Sequence, residues 1–341
     1  MKICVLGTGA IGASLAADLI DAGEDVMVVD QWADHVETMR RYGLRVKMPD
    51  REVHVPVDAI HISDLASRRP MFDVVIVAVK SYDTRWIVNL IEPFLKPDGV
   101  LIGTQNSMND DTHAAIVGRE RTMGCAIELS ADIYTPGVVT RNTSRTGTWL
   151  TVGELDGKVT PRAEMMAKLL GNCAQTVVTT NIYGAKWTKL VANTMAMGPN
   201  GLFGLPSREG AALPGMRDIA VQLGREAAEV GKALGYELEP VFGLTAEEFS
   251  GAGDDVLLKA LDTLYEHIGP RAVTAIVQDT WKGRRSEYNF ITGLIVRKGA
   301  EVGIETPANS AVLEVYELID QGHIEMNPNN LDRLKGILAE N

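Results

Sequence analysis

The sequence is poor in the residues that would point to secretion, metal binding or a membrane. Its three cysteines, Cys4, Cys125 and Cys173, are odd in number and far apart, so no disulfide framework is expected. Cys4 lies in the first apolar run and reads as a small buried hydrophobe, which fits a reducing cytosol. The six histidines form no HxxxH or HxH pair, so no metal site is expected. No apolar run reaches membrane-spanning length, and Met1 opens directly into a strand, so a cytoplasmic protein without a signal peptide is expected. Positive charge is also short: 33 Lys and Arg against 45 Asp and Glu leave a formal charge of −12. A broad negative field repels nucleic acid and anionic membrane, so any anionic substrate must be held by a local basic pocket. There is no internal repeat and no low-complexity segment. What remains, 45% hydrophobic and 23% charged over 341 residues, suits a globular enzyme of two domains.

The most informative stretch is Lys2 to Asp30. Ile3, Val5 and Leu6 lead into Gly7-Thr8-Gly9-Ala10-Ile11-Gly12, and Ile11, Leu15, Ala16, Leu19 and Ile20 then recur at helical spacing. Gly23 closes that helix, and Asp25 to Val29 reads as a second buried strand ending at Asp30. Strand, glycine turn, helix, strand and terminal acid form a complete dinucleotide-binding unit. Gly7 permits the tight turn, Gly9 lets the backbone approach a pyrophosphate, and Gly12 lets the helix pack on the strand. The helix start at Ala10 and Ile11 offers N–H groups and a positive dipole end to the phosphates. Asp30 stands 18 residues after Gly12, where a carboxylate can accept from ribose hydroxyls. It would repel a 2′-phosphate, and neither Gln31 nor Trp32 supplies a cation, so the reading favours NAD over NADP.

Along the chain the pattern predicts a helix over 33–42 and short strands within 46–57. Phe72 to Val79 is a β-branched run of a buried parallel strand, ending at Lys80. A helix through Ile87 and Leu95 and a strand over 99–103 follow, ending at Gln105-Asn106. Lys80 and Asn106 thus stand past the carboxyl ends of sheet strands, where ligands bind in open α/β sheets. Strands are expected over 123–130, 137–141 and 148–153, the last two paired as a hairpin, then a helix over 161–170 and a strand over 175–179. From Asn181 the sequence turns to successive helices, expected over 185–197, 215–234, 254–267, 272–281, 288–302, 307–321 and 329–339, with an acidic loop over 243–253. The fold class read here is α/β: a Rossmann-type doubly wound sheet domain over 1–180, then an all-helical domain over 181–341 for substrate and dimerisation.

Two stretches of the helical half could carry chemistry. Lys189 and Asn193 lie four residues apart, one turn plus about 40° of rotation, hence on one helix face. An ammonium there could protonate an oxygen as hydride arrives, with the carboxamide holding the same group. The plainer alternative is a solvated face, with Lys186 as a second example. In Arg284-Arg285-Ser286-Glu287, Glu287 stands at a helix start, where it either accepts from a substrate hydroxyl beside a carboxylate-binding arginine or only serves the helix end. Residue types alone do not decide between these.

The order GTGAIG, AVKSYDT, TQNSMN, KLVAN and RRSEYN resembles the ketopantoate reductase family across nearly the whole chain. The resemblance implies reduction of a 2-keto acid by a nicotinamide cofactor in a cleft between a Rossmann domain and a helical domain. It implies that Lys189 is the proton-transferring lysine, that Asn193 and Glu287 contact substrate, and that Lys80 and Asn106 lie beside cofactor and substrate. Several positions depart from the family pattern. A second asparagine expected two turns beyond the lysine is Met197, before Gly198-Pro199, with Asn200 its only near substitute. A serine expected twelve residues before Glu287 is Ala275, an aspartate is Asn289, and the glycine that usually follows the Asn106 position is Ser107. Asp30 departs as well, because many members use NADPH and carry a basic residue there. The expected function is therefore NAD(H)-dependent hydride transfer to or from a keto or hydroxy compound other than ketopantoate, by a homodimer. The alternatives weighed are an authentic 2-dehydropantoate 2-reductase, an opine or β-hydroxyacid dehydrogenase, and a non-catalytic NAD-binding regulator.

Overall fold

Continuous apolar, β-branched runs make strands buried on both faces, and in the computed structural model they line up as one central sheet. The structure describes residues 1–240, 254–267 and 272–340; the acidic loop expected over 243–253 lies outside them. The chain divides into two units, Met1–Ile182 and Tyr183–Asn341.

The first unit contains twelve strands: β1 (Lys2–Leu6), β2 (Asp25–Asp30), β3 (Leu44–Lys47), β4 (Glu52–Val55), β5 (Asp58–His61), β6 (Phe72–Val77), β7 (Leu95–Gly103), β8 (Thr122–Glu128), β9 (Ala131–Thr135), β10 (Val138–Arg141), β11 (Trp149–Glu154) and β12 (Gln175–Val178). Eight form the main sheet in the order β12-β11-β8-β7-β6-β1-β2-β5. Every pair in it is parallel except β8 with β11. The run outward from β1 reverses direction between β1 and β6, which creates the switch point at which doubly wound sheets bind ligands. The helices of this unit are α1 (Ala10–Asp21), α2 (Ala33–Tyr42), α3 (Leu65–Arg68), α4 (Thr84–Ile91), α5 (Asp110–Val117) and α6 (Pro161–Leu170). The Rossmann-type architecture read from the sequence is the one observed.

The strand pairings of the second half of this unit need correcting. The segment over 137–141 does not form a hairpin with 148–153. Instead β10 pairs antiparallel with β9 and parallel with β3, and β3 pairs antiparallel with β4, giving a separate four-stranded sheet. β11 returns to the main sheet beside β8. Physically, the apolar faces of the small sheet (Leu44, Val46, Val53, Val55, Ile133, Val139) share one core with α1, so pairing there buries more than a local hairpin would. The helix expected to run through Leu95 ends at Ile91, followed by a 3-10 turn over Glu92–Phe94 in which Pro93 lacks the N–H that α-helix needs.

Among the described residues the second unit contains helices and no strand: α7 (Ile182–Asn200), α8 (Ser207–Ala211), α9 (Met216–Ala233), α10 (Asp254–His267), α11 (Ala275–Trp281), α12 (Thr292–Val302), α13 (Pro307–Asp320) and α14 (Asn330–Glu340). Several boundaries differ from expectation, among them the start of α11 at Ala275 instead of 272 and of α7 at Ile182 instead of 185, and two differences have a visible local cause. α7 continues through Pro199 to Asn200, whose side-chain amide donates to Ala196 O at 2.7 Å and tightens the last turn. The helix expected over 288–302 is split, with a 3-10 turn over Tyr288–Phe290 and α12 starting only at Thr292. No helix among the described residues is long and apolar enough to cross a membrane.

Candidate functional site

The glycine turn sits at the carboxyl end of β1, where Gly7 N–H donates to Val29 O at 2.8 Å and Ala78 N–H donates to Leu6 O at 2.9 Å. Gly7 has φ +88°, and a Cβ on it would press on Val79, so both backbone and space demand glycine. Gly9 is the N-cap of α1, and a Cβ there would meet no described atom within 4 Å. A Cβ on Gly12 would lie 2.0 Å from Gly7 O. The loop therefore leaves open space in front of Gly9 and close packing behind Gly12. Ala10 and Ile11 form the first turn of α1 with Gly12, and a first turn has no intrahelical acceptors for its N–H groups. Open space, unspent donors and the dipole end suit a pyrophosphate, so the residues present fit a dinucleotide.

Asp30 ends β2 and is 7% exposed. Its Oδ2 accepts from Thr8 N–H at 2.5 Å and from the Thr8 hydroxyl at 2.8 Å, and its Oδ1 accepts from Trp32 N–H at 2.7 Å. Of about four acceptor positions on a carboxylate, these bonds occupy three, and the one left is on Oδ1. Thr8 is held from the other side too. His35, fully buried on α2, places Nε2 2.9 Å from Thr8 O, while its Nδ1 accepts from Gly137 N–H at 2.8 Å. Neither Thr8 nor His35 stood out in the sequence, because the fingerprint specifies only the glycines and the acid.

Lys80 follows β6 and caps the 3-10 turn Ser81–Asp83, and Asn106 follows β7. The structure brings these two strand ends together. Ser81 hydroxyl donates to Asn106 O at 3.0 Å, and Asn109 Nδ2 donates to the same oxygen at 3.0 Å and to Ser81 Oγ at 3.1 Å. Beside them Ser107 has φ +79°, the left-handed backbone natural to the glycine that the family resemblance expects at this position. A non-glycine residue in that region carries strain of about 1 kcal/mol.

In the helical unit Lys189 and Asn193 share α7, with 9% and 4% of their surface exposed. The solvated-face alternative therefore does not describe them, nor Lys186, which is 4% exposed. The turn that carries them is tied down by a polar chain. Glu226 of α9 accepts from Ala308 N–H, Asn309 N–H and Asn309 Nδ2 at 2.8, 3.0 and 2.8 Å, and Asn309 Oδ1 accepts from Thr194 hydroxyl at 2.7 Å. Burial pushes the Glu226 carboxyl above its usual range against the pull of these donors. Glu287 is 4% exposed, but it precedes only the three-residue 3-10 turn, so no long helix dipole acts on it as the sequence suggested. Asn200 Nδ2 also donates to Tyr265 hydroxyl at 3.0 Å while its buried Oδ1 has no partner among the described residues, and Thr274 accepts from Val277 N–H as the N-cap of α11. All three cysteines are buried and lie outside any disulfide, and burial pushes the Cys4 and Cys173 thiols far up. No cluster of metal-ligating residues is present among the described residues.

Two family models match the chain, ketopantoate reductase PanE/ApbA over residues 3–157 and its C-terminal counterpart over 181–320. The 2-dehydropantoate 2-reductase of Pyrococcus horikoshii is 27% identical, covering 91% of this chain and 94% of that relative. The corresponding enzyme of Caulobacter vibrioides is 28% identical, over 92% and 97%. Among solved structures, a PanE/ApbA family ketopantoate reductase from Ralstonia eutropha superimposes with a TM-score of 0.79 at 25% identity, covering 95% and 100%. A D-mandelate dehydrogenase bound to NADH and anilino(oxo)acetate reaches a TM-score of 0.82 at 21% identity, with the same coverage, and shares the fold.

Proposed function

The chain belongs to the ketopantoate reductase family, and on that premise we propose that it is an NAD(H)-dependent oxidoreductase acting on a keto or hydroxy compound distinct from ketopantoate. That it is a nicotinamide-dependent oxidoreductase of CH–OH and C=O groups follows from its relatives. The observation that carries the cofactor reading is Asp30, a buried carboxylate bonded to the glycine loop with one acceptor position left on Oδ1. That position suits a ribose hydroxyl, whereas a 2′-phosphate would bring like charge to it.

In this reading residues 1–180 hold the cofactor and residues 181–341 supply the substrate side and the contact of a cytoplasmic homodimer. Bound nicotinamide supplies or takes the hydride. Lys189 gives a proton to the substrate oxygen in reduction and takes it back in oxidation, and its burial on α7 supports this over a solvated role. Asn193 holds the same oxygen, Asn106 and Lys80 act at the ends of β7 and β6, and Glu287 accepts from a substrate hydroxyl. Met197 and Ala275 put apolar side chains where the family resemblance expects hydrogen-bonding ones, each loss costing about 1–3 kcal/mol in binding a polar substrate, and Asn289 gives up a charge.

The test is an initial-rate panel of 2-keto acids, hydroxy acids and aryl or sugar alcohols, ketopantoate included, with NADH/NAD and NADPH/NADP in parallel. The expected result is turnover with NAD(H) on a compound other than ketopantoate. Ketopantoate as the best substrate with NADPH would establish the second reading, an authentic 2-dehydropantoate 2-reductase, which the names of the relatives favour. Binding of NADH without turnover of any compound would leave only a regulator.

A further inference from the structure

Every polar atom of Thr8 is engaged by protein: N–H and hydroxyl by Asp30, carbonyl by His35. The tautomer of His35 follows from its partners. Gly137 N–H can only donate, so Nδ1 is a bare acceptor, and the ring proton is on Nε2, donating to Thr8 O. The ring is fully buried and stacked on Trp32, with centroids 5.1 Å apart. Because a peptide group is planar and trans, fixing the Thr8 carbonyl fixes the opposite direction for the Gly9 N–H in the same plane. That N–H belongs to the residue facing open space.

We infer that His35 is a positioning residue for the cofactor, aiming the Gly9 N–H at the pyrophosphate through the Thr8 carbonyl. The inference rests on the nucleotide reading of the glycine turn. It assigns the two ring nitrogens different jobs: Nε2 orients the loop, and Nδ1 fastens the β9–β10 turn at Gly137.

Two substitutions separate those jobs. His35→Gln places an amide near the Nε2 position and keeps a donor for Thr8 O, while His35→Asn keeps an acceptor near the Nδ1 position for Gly137 and loses Thr8. Each removes one buried hydrogen bond, so a purely structural role predicts equal effects on melting temperature and on NADH binding. The expected result, by titration of NADH fluorescence, is a Kd raised about tenfold in His35→Asn and within about threefold of wild type in His35→Gln, at similar melting temperatures. Equal Kd values in the two variants would overturn the assignment. Failure of the wild-type protein to bind NADH at all would instead refute the nucleotide reading. If neither variant folds, ¹⁵N-histidine spectra of the wild type decide. His35 should appear as the Nε2–H tautomer with an Nε2 resonance that moves when NADH saturates, and an unmoved resonance overturns the inference.

Discussion

Gly9→Ala and Gly12→Ala should fail in opposite ways. At Gly12 the added methyl would sit 2.0 Å from Gly7 O and 3.0 Å from Ala78 Cβ. The first distance is roughly 1.5 Å inside favourable non-bonded contact, and the obstacle is backbone that cannot swing aside. Either α1 lifts from the loop or the loop unwinds, and the expected cost is about 3 kcal/mol of unfolding free energy, the upper end for overpacking. At Gly9 the methyl meets nothing within 4 Å, and φ is −59°, which any residue adopts. Losing a glycine N-cap there should cost less than about 1 kcal/mol. The same methyl would project where a pyrophosphate must approach, so NADH affinity should fall about a hundredfold, near 2.7 kcal/mol. Urea unfolding and NADH fluorescence titration of both variants read the two quantities separately. A Gly9→Ala protein that binds NADH like wild type would mean that the phosphates do not pass over this residue. A Gly12→Ala protein as stable as wild type would refute the packing account.

Lys189→Ala should lower turnover by about two orders of magnitude or more with NADH affinity nearly unchanged; unchanged turnover on a substrate found in the panel would remove the lysine from the mechanism. Arg141 and Asp18 form a buried ion pair at 2.5 Å, in which Arg141 also donates to Thr148 hydroxyl and Cys173 O. Arg141→Met should therefore destabilise by about 3 kcal/mol in urea titrations, since Arg51 alone would remain to face the buried carboxylate, and adding Asp18→Leu should recover part of it. Lys96 and the Lys2 N–H hold the Asp73 carboxyl below the usual range. The stability this gives is present above about pH 3.9, the ordinary Asp value, and is lost as pH falls through the depressed one. The difference between wild type and Lys96→Met, under about 1 kcal/mol at pH 6, should vanish in strong acid; a constant difference would contradict the pairing.

Much of the fold was legible because local periodicity and burial agree. The α2 and α6 ranges, 33–42 and 161–170, follow from amphipathic spacing closed by Gly43 and Gly171. The glycine turn and Asp30 were legible because each residue has a backbone or charge requirement that few others meet. The small sheet was not, since β3 and β10 are more than ninety residues apart and each is four residues long. Arg141 was equally hidden: an arginine at the end of an alternating strand reads as solvent-facing, yet here it is 1% exposed. Nothing in Ala33-Asp34-His35-Val36 marks the histidine, because what it bonds, Thr8 O and Gly137 N–H, is backbone set by distant segments. Glu287 and its missing helix show a further limit, since Tyr288 to Val302 has an unbroken apolar rhythm that Ile291 interrupts only in backbone angles.

Because Gly137 lies 102 residues beyond the imidazole it touches, the turn that grips Nδ1 leaves the ribosome long after the glycine loop and its histidine. The strands flanking the loop can pair early, and Nε2 can reach Thr8 O without that turn. Fragments truncated before residue 137 should then keep the shaped loop and lack only its tie to the small sheet, so the joining of loop and sheet becomes a late event in synthesis.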